Sequence, residues 1–316
     1  MKKWLIAALV FFLLVIVSIY LFIPTTINIS RTVITTANSI ALNRKLQDKN
    51  TWTNAIAATN TAIDNATEFN NYSFTVNKGL FNEIPVTVFQ KNDSIITLVE
   101  CISIANDSAG IKWSTAIKTS NNPFTKVQQY FTAQKITGFF DDVLGKLKTY
   151  TSVQANIYGS TITLQKVTDT SLVTTKALFK AYPSDSSVYK LINTLHKYIS
   201  GKANETNPPM LNIKHLADSN YEVMVALPVN KNLADSGAIR FKQMFPGRIL
   251  VTEIKGGHKT VEQTFAMMNQ YLIDHKINLQ AVHLSHYEKI LNFSRNQPSV
   301  QQSRFKEIYK ENLKFS

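Results

Sequence analysis

An internal repeat constrains the fold of this chain more than any other feature of its sequence. Two predicted helices, Val188–Ile199 and Val261–Ile273, carry apolar and aromatic residues at matching positions with a constant offset of 73 residues (261 − 188 = 73). One strand precedes each helix and two follow it, so the sequence predicts a β-α-β-β unit that is used twice. A single unit has one sheet face and one helix stripe to bury, and two units therefore pack as a pseudo-two-fold pair.

The strands predicted for the repeat are rich in β-branched and aromatic residues and are bounded by turn-forming segments. In the first copy they are Ser171–Phe179, Met210–Leu216 and Tyr221–Val229, and in the second they are Arg248–Ile254, Ala281–Leu284 with Tyr287–Asn292, and Arg304–Tyr309. The repeat therefore accounts for most of the chain after residue 170.

The region before the repeat predicts a second α+β unit, with antiparallel strands and a long helix. An alternating segment, Ile27–Val33, begins it, and a short helix over 37–46 follows. Pro123 suits the first turn of a long helix that extends to Tyr150. The strands predicted between the two helices are Tyr72–Val76, Ile84–Phe89, Ser94–Ile104 and Gly110–Ile117.

This order of elements resembles the START-like (SRPBCC, polyketide cyclase) helix-grip family. Leu46, Asp48 and Trp52 look like the L-x-D…W opening of that family. The resemblance implies a curved sheet that wraps the long helix and leaves an apolar cavity between them. Trp52 is interpreted as a core or cavity-wall residue, with no role in chemistry.

The repeat region resembles the GyrI-like, or AraC-type effector-binding, domain, which is a duplicated unit of this kind. The segment Tyr221–Val229 looks like the strand that ends the first repeat of that family, and Gly256-Gly257-His258 resembles its turn before the second helix. Tyr287-Glu288 and the closing segment Phe305–Tyr309 also match, although Lys310-Glu311 departs from the apolar residue and proline that follow in the family.

The GyrI-like resemblance implies a groove between the two halves that binds apolar, often cationic, small molecules. It points to Glu307 as the carboxylate in the groove, with Tyr309 two residues on and therefore on the same strand face. Tyr287 is a further candidate. A carboxylate beside aromatic rings suits a cation, through charge pairing and cation–π attraction. The alternative is an exposed strand glutamate paired with neighbouring basic residues, and a tyrosine that only packs.

Composition and motifs argue against several other functions. The net charge is +13, but Lys and Arg are scattered, and no zinc-ligand spacing or helix-turn-helix is apparent, so we expect no nucleic-acid partner. The single cysteine, Cys101, lies in an apolar run that predicts burial. His283 and His286 are three apart in a predicted strand and so lie on opposite faces, and we expect no metal site. No G-x-S-x-G elbow is present, and we expect no cofactor.

Residues 4–24 form an uncharged apolar run behind Lys2 and Lys3. About 20 apolar residues span a bilayer core, so the run predicts an uncleaved transmembrane helix, with a cleaved signal peptide as the alternative. The basic N-terminal head places the remaining chain outside the cytoplasm. We therefore expect a single-pass membrane protein with extracytoplasmic domains and the membrane as one partner.

Together these features predict an α+β chain with a transmembrane anchor (1–24), a START-like helix-grip domain (25–152) and a duplicated β-α-β-β GyrI-like domain (153–316). The expected function is binding of a small hydrophobic or cationic molecule by a membrane-anchored protein without catalytic activity. The alternative is a hydrolase that uses Glu307 as a general base, which would require burial to raise the pKa of its carboxyl group.

Overall fold

The computed structural model describes residues 2–56, 66–90, 93–216, 220–244, 247–255, 258–277, 284–289 and 303–311. The chain divides into two compact units, Met1–Ile157 and Tyr158–Ser316. Both combine helices with an antiparallel sheet, so the fold is mixed α+β, as predicted.

The first unit contains most of the helices of the chain and one six-stranded sheet. Its elements are α1 (Lys2–Phe22), β1 (Thr26–Thr35), α2 (Ser39–Leu46), α3 (Lys49–Ile56), β2 (Thr67–Phe69), β3 (Tyr72–Val76), β4 (Glu83–Gln90), β5 (Asp93–Ala105), β6 (Ser108–Lys118), α4 (Pro123–Thr151) and α5 (Gln154–Tyr158), the last of which ends at the boundary between the units. The strand order is β1-β6-β5-β4-β3-β2, and α4 packs against β1 and β6. The strands and the long helix predicted for this region are confirmed, whereas α3 and β2 were not predicted.

The long helix α4 begins where the sequence indicated. Pro123 occupies the first turn, where its missing N–H removes no hydrogen bond. The Asn122 side chain accepts hydrogen bonds from the backbone N–H groups of Phe124 and Thr125, at 3.0 and 3.3 Å. These bonds satisfy donors that the helix itself leaves open. The apolar stripe of α4, which includes Phe140 and Leu144, is buried.

The prediction of a transmembrane anchor over residues 4–24 is wrong. The run forms α1, and side chains such as Trp4 and Phe11 are exposed. No helix in the described part of the chain is long and apolar enough to cross a membrane. Near the end of α1, the Tyr20 hydroxyl donates to the carbonyl of Asn121, and the Lys126 ammonium lies 5.5 Å from the centre of the Tyr20 ring.

The transmembrane part of the predicted fold class and the single-pass membrane localisation are therefore overturned. The membrane contact predicted for this helix loses its basis as well.

The second unit is built on one eight-stranded antiparallel sheet. Its elements are β7 (Thr163–Lys166), β8 (Ser171–Phe179), α6 (Asp185–Ile199), β9 (Met210–His215), β10 (Tyr221–Pro228), β11 (Arg240–Gln243), β12 (Arg248–Lys255), α7 (His258–Asp274), β13 (Leu284–Lys289) and β14 (Ser303–Glu311). The strand order is β11-β8-β10-β9-β13-β14-β12-β7. The predicted repeat is confirmed in this order, because β8-β10-β9 on one side corresponds to β12-β14-β13 on the other.

Two short edge strands extend the symmetry beyond the predicted repeat. β7 precedes the first copy but pairs with β12 of the second, and β11 precedes the second copy but pairs with β8 of the first. Each copy therefore covers the outer edge of the other. Neither strand was predicted from the sequence, because each is only four residues long and mostly polar.

The two helices bury the positions that the repeat predicted. Val188, Leu195 and Ile199 of α6 are buried, as are their counterparts Val261, Met268 and Leu272 of α7. α6 packs on β8 and β10, and α7 packs on β12. Of the predicted second-copy elements, residues 281–283 and 290–292 and the turn Gly256-Gly257 lie outside the described residues.

Candidate functional site

The candidate site is the part of the large sheet that lies between α6 and α7. β8 and β9 are parallel to each other, and so are β12 and β13. The right-handed rule for β-α-β crossovers then predicts that α6 and α7 lie on one face of the sheet. α6 covers β8 and β10 at one side, and α7 covers β12 at the other. The helix-side face of β9, β13 and β14 therefore forms the floor between the helices, and we call this face the groove.

Strand register identifies the residues at the centre of the groove. One cross-strand row consists of directly paired residues, which are Val225, Leu211, Ser285, Glu307 and Thr252. Directly opposite residues of antiparallel strands lie on the same face of a sheet. Val225 and Leu211 pack in the apolar core beneath α6, so the whole row belongs to the helix side. The backbone register therefore places position 307 on the helix side of the sheet, between positions 285 and 252.

The two tyrosine positions predicted from the sequence lie on either side of this row. Tyr309 pairs with Leu250, and Tyr287 pairs with Phe305. Since side chains alternate along a strand, position 309 shares a face with position 307, and position 287 shares a face with position 285. The register thus brings positions 287, 307 and 309 to one face. Position 307 lies in the row, and positions 287 and 309 lie two residues away from it in opposite directions along the strands.

Within this row, Thr252 has an unusual environment. Its exposed fraction is 2%, and its hydroxyl oxygen has no hydrogen-bond partner in the part of the chain that the structure describes. A buried hydroxyl without a partner costs about 1–3 kcal/mol, because water is lost and nothing replaces it. Thr252 pairs directly with Glu307.

An aromatic cluster lies at one end of the groove and was not predicted as a site from the sequence. His215 ends β9 and pairs with Tyr221 at the start of β10, and their rings are 4.8 Å apart. Tyr182, in the connection between β8 and α6, contacts Tyr221 edge-to-face with ring centres 5.6 Å apart. Tyr221 is in phase with Val223 and Val225, which places it on the groove side.

Acidic groups surround this cluster. Burial, followed by the negative charges of Glu262 and Asp185, raises the pKa of the Tyr182 phenol to about 12. Glu262 belongs to α7 and Asp185 to α6, so carboxylates from both copies act on one ring. The phenol is therefore neutral at physiological pH. The signal in the sequence was Tyr182 itself, an aromatic residue immediately before a helix of the repeat.

The cluster and the Glu307 row are separated by four residues along β9, from His215 to Leu211. At about 3.3 Å per residue this distance is roughly 13 Å. A molecule that reached from one to the other would need an elongated or multi-ring apolar body.

Aromatic side chains pack in the interior of the first unit. Trp52, Phe74, Trp113 and Phe140 are fully buried, and the rings of Trp113 and Phe140 stack 4.3 Å apart. The Trp52 indole N–H donates to the carbonyl of Leu46 at 2.8 Å, so the L-x-D…W segment closes a turn between α2 and α3. Trp52 is therefore a core residue, as predicted.

The remaining candidate groups are explained by packing. Cys101 is buried, and desolvation raises the pKa of its thiol to about 12, so the nucleophilic thiolate is suppressed. The His275 ring stacks on Tyr271, and its Nδ1 lies 2.8 Å from the Tyr271 carbonyl oxygen. Within the described ranges, no group of three His, Cys, Asp or Glu side chains is arranged to hold a metal ion. His283 lies outside those ranges.

No family model matches the chain, and no curated protein matches it. Solved structures that the chain matches include EcmrR in a complex with DNA (15% identity, TM-score 0.40, 61% of this chain and 74% of that chain). They also include SAV2435 bound to tetraphenylphosphonium (15%, 0.30, 48% and 94%) and a START superfamily protein from Mycobacterium smegmatis (10%, 0.27, 39% and 97%).

Proposed function

We propose that this chain binds a small organic cation with an apolar body in the groove of the second unit, and that it does so without converting it chemically. In this proposal the second unit is a GyrI-like ligand-binding domain, and the first is a START-like domain. The expectation that nucleic acid is not a partner remains part of the proposal.

The observation that carries the proposal is the strand register of the second unit. It supports a central groove position for Glu307, with Tyr309 and Tyr287 two residues to either side. A carboxylate between two helices is costly to desolvate without a partner, and a bound cation supplies the opposite charge. Aromatic rings near the charge add cation–π attraction.

The aromatic cluster supports the same class of ligand at the other end of the groove. Tyr182 and Tyr221 offer ring faces and edges, while the carboxylates of Glu262 and Asp185 repel anions. The roughly 13 Å between the cluster and the Glu307 row suits a lipophilic cation with several rings better than a small ion.

The test is calorimetric titration of the full chain with tetraphenylphosphonium and with triphenylphosphine oxide, a neutral molecule of similar shape. We expect Glu307→Gln to weaken binding of the cation about tenfold or more, since a charge pair is lost, and to change binding of the neutral molecule little.

Glu253→Gln is the matched control. It removes the same charge from the adjacent strand, but Glu253 is exposed and out of phase with Thr252, on the other face of the sheet. Equal cation affinity in wild type and Glu307→Gln, or equal losses in the two variants, would contradict the proposal.

A further inference from the structure

The three rings of the aromatic cluster stand at steep angles to one another and are accessible from solvent. The rings of Tyr182 and Tyr221 are inclined by 79° with their centres 5.6 Å apart, and those of Tyr221 and His215 by 59° with their centres 4.8 Å apart. Tyr182 is 38% exposed, His215 is exposed, and Tyr221 is half-buried. A molecule in solution can therefore reach the angles between these rings.

The backbone holds the three rings in place before any ligand arrives. Tyr182 precedes Pro183, which restricts the backbone of the residue before it, and Ser184 then caps α6. Tyr221 and His215 are directly paired at the ends of β10 and β9. Because the rings lie on a capped helix start and on paired strands, a ligand would bind them with little loss of conformational entropy.

Two carboxylates lie close enough to the cluster to act on it. Glu262 of α7 and Asp185 of α6 are the charged groups that raise the pKa of the Tyr182 phenol, and Glu262 is exposed. A cation in contact with the Tyr182 ring would be attracted by both carboxylates, at a strength that solvent reduces.

We propose that Tyr182, Tyr221 and His215 form an aromatic cage for a trimethylammonium group. This inference rests on the proposed function, since it names the head group of a cation that the groove binds. A trimethylammonium group is rounded, so in the angle between two inclined rings its methyl groups can contact both, within the roughly 6 Å of a ring centre over which cation–π attraction acts. A flat aromatic cation could stack on only one of these rings at a time.

The aromatic surface of the cage also favours trimethylammonium over a primary ammonium group. A primary ammonium group loses the hydrogen bonds that its N–H groups make with water, and ring faces replace them poorly. A trimethylammonium group has no N–H and loses none. The cage therefore needs no hydrogen-bond acceptor beside the rings.

The experiment uses the full chain at pH 8 and two matched probes, choline and 3,3-dimethylbutan-1-ol, in which a carbon atom replaces the nitrogen. By calorimetric titration we expect wild type to bind choline roughly three- to thirtyfold more tightly than the neutral alcohol, the range that cation–π attraction gives between exposed and desolvated sites. The methyl protons of choline should also shift upfield in the NMR spectrum, because they lie against ring faces.

Three variants test the role of the rings. Tyr182→Leu removes a ring but keeps an apolar side chain, so it should abolish most of the preference for choline and change binding of the alcohol little. Tyr182→Phe keeps the ring and should keep the preference. Tyr198→Leu is the matched control, because it removes a tyrosine of the same unit whose ring centre already lies 4.1 Å from the Lys202 ammonium; it should keep the preference as well.

The outcomes separate the cage from the proposed function. If wild type binds both probes equally, if Tyr182→Leu retains the preference, or if Tyr198→Leu loses as much of it, the cage is overturned, while the tetraphenylphosphonium titration still decides the proposed function. Absence of choline binding in a protein that binds tetraphenylphosphonium overturns the cage alone. If neither cation binds to wild type, the proposed function fails and the cage fails with it.

Discussion

Replacing Thr252 by valine should stabilise the protein in the absence of any ligand. Most substitutions of buried residues destabilise, so this prediction runs against the ordinary expectation. Valine has nearly the shape of threonine and exchanges the hydroxyl for a methyl group. In this protein the exchanged hydroxyl is 2% exposed and has no hydrogen-bond partner in the described structure.

The magnitude follows from the cost of that hydroxyl. An unsatisfied buried polar group costs about 1–3 kcal/mol, and the methyl group that replaces it gains some apolar burial. Valine also suits a strand at least as well as threonine does. We therefore expect the free energy of unfolding to rise by about 1–2 kcal/mol, which for a unit of this size corresponds to a rise in melting temperature of roughly 2–8 °C.

The assay is thermal and urea unfolding of wild type, Thr252→Val and Thr174→Val. Thr174 is the matched control, because it is a buried strand threonine of the same sheet whose hydroxyl does have a partner, the Arg240 carbonyl. Its replacement loses a hydrogen bond and should lower the free energy of unfolding by about 1 kcal/mol. The two substitutions therefore have opposite expected signs.

A loss of stability in Thr252→Val as large as that in Thr174→Val would refute the reasoning. It would mean that the Thr252 hydroxyl is satisfied in the folded protein.

Three further predictions concern the first unit. The buried Trp113 indole N–H donates to Thr97 Oγ1 at 2.7 Å. Thr97→Val removes this acceptor and should lower the free energy of unfolding by about 2–4 kcal/mol in urea titration. A loss no larger than that in Thr174→Val would contradict this prediction. Cys101 should resist thiol-reactive reagents at pH 8 and react only after unfolding, because burial raises the pKa of its thiol to about 12; rapid labelling of the native protein would disprove this. Since the folded-state pKa lies above the unfolded value, the free energy of unfolding should be constant below about pH 8.5 and fall as the pH rises above it. Gly79→Ala should destabilise the first unit by more than about 2 kcal/mol in thermal unfolding, because the added Cβ would lie 1.9 Å from the Glu83 carbonyl oxygen. Gly138→Ala is the control: it has open space around it and should be neutral or stabilising.

Sequence alone was sufficient for the elements whose signal is local. The matching apolar positions of α6 and α7 predicted the two helices of the repeat, because residues three and four apart lie on the same face of a helix. Pro123 marked the start of α4, because its fixed φ suits the first turn of a helix. Segments with weak local patterns were missed, among them β7 and β11, which form strands only because they pair with a distant strand of the other copy.

The candidate site divides in the same way. The resemblance of the closing strand pointed to Glu307 and Tyr309, and alternation along the strand placed them on one face. The row that sets Glu307 beside Thr252 and Ser285 depends on the pairing of β12, β14 and β13, and no pattern within any one strand contains that register.

The sequence by itself determined that this chain contains a duplicated β-α-β-β unit behind another α+β unit, because periodicity and repetition are properties of neighbouring residues. Only the tertiary structure decided which residues meet. It brought Tyr182 beside Tyr221, stacked Trp113 on Phe140 in the interior of the first unit, and joined Tyr20 near the end of the apolar run to Asn121. These outcomes depend on burial and strand register, which arise from contacts between residues far apart in the chain.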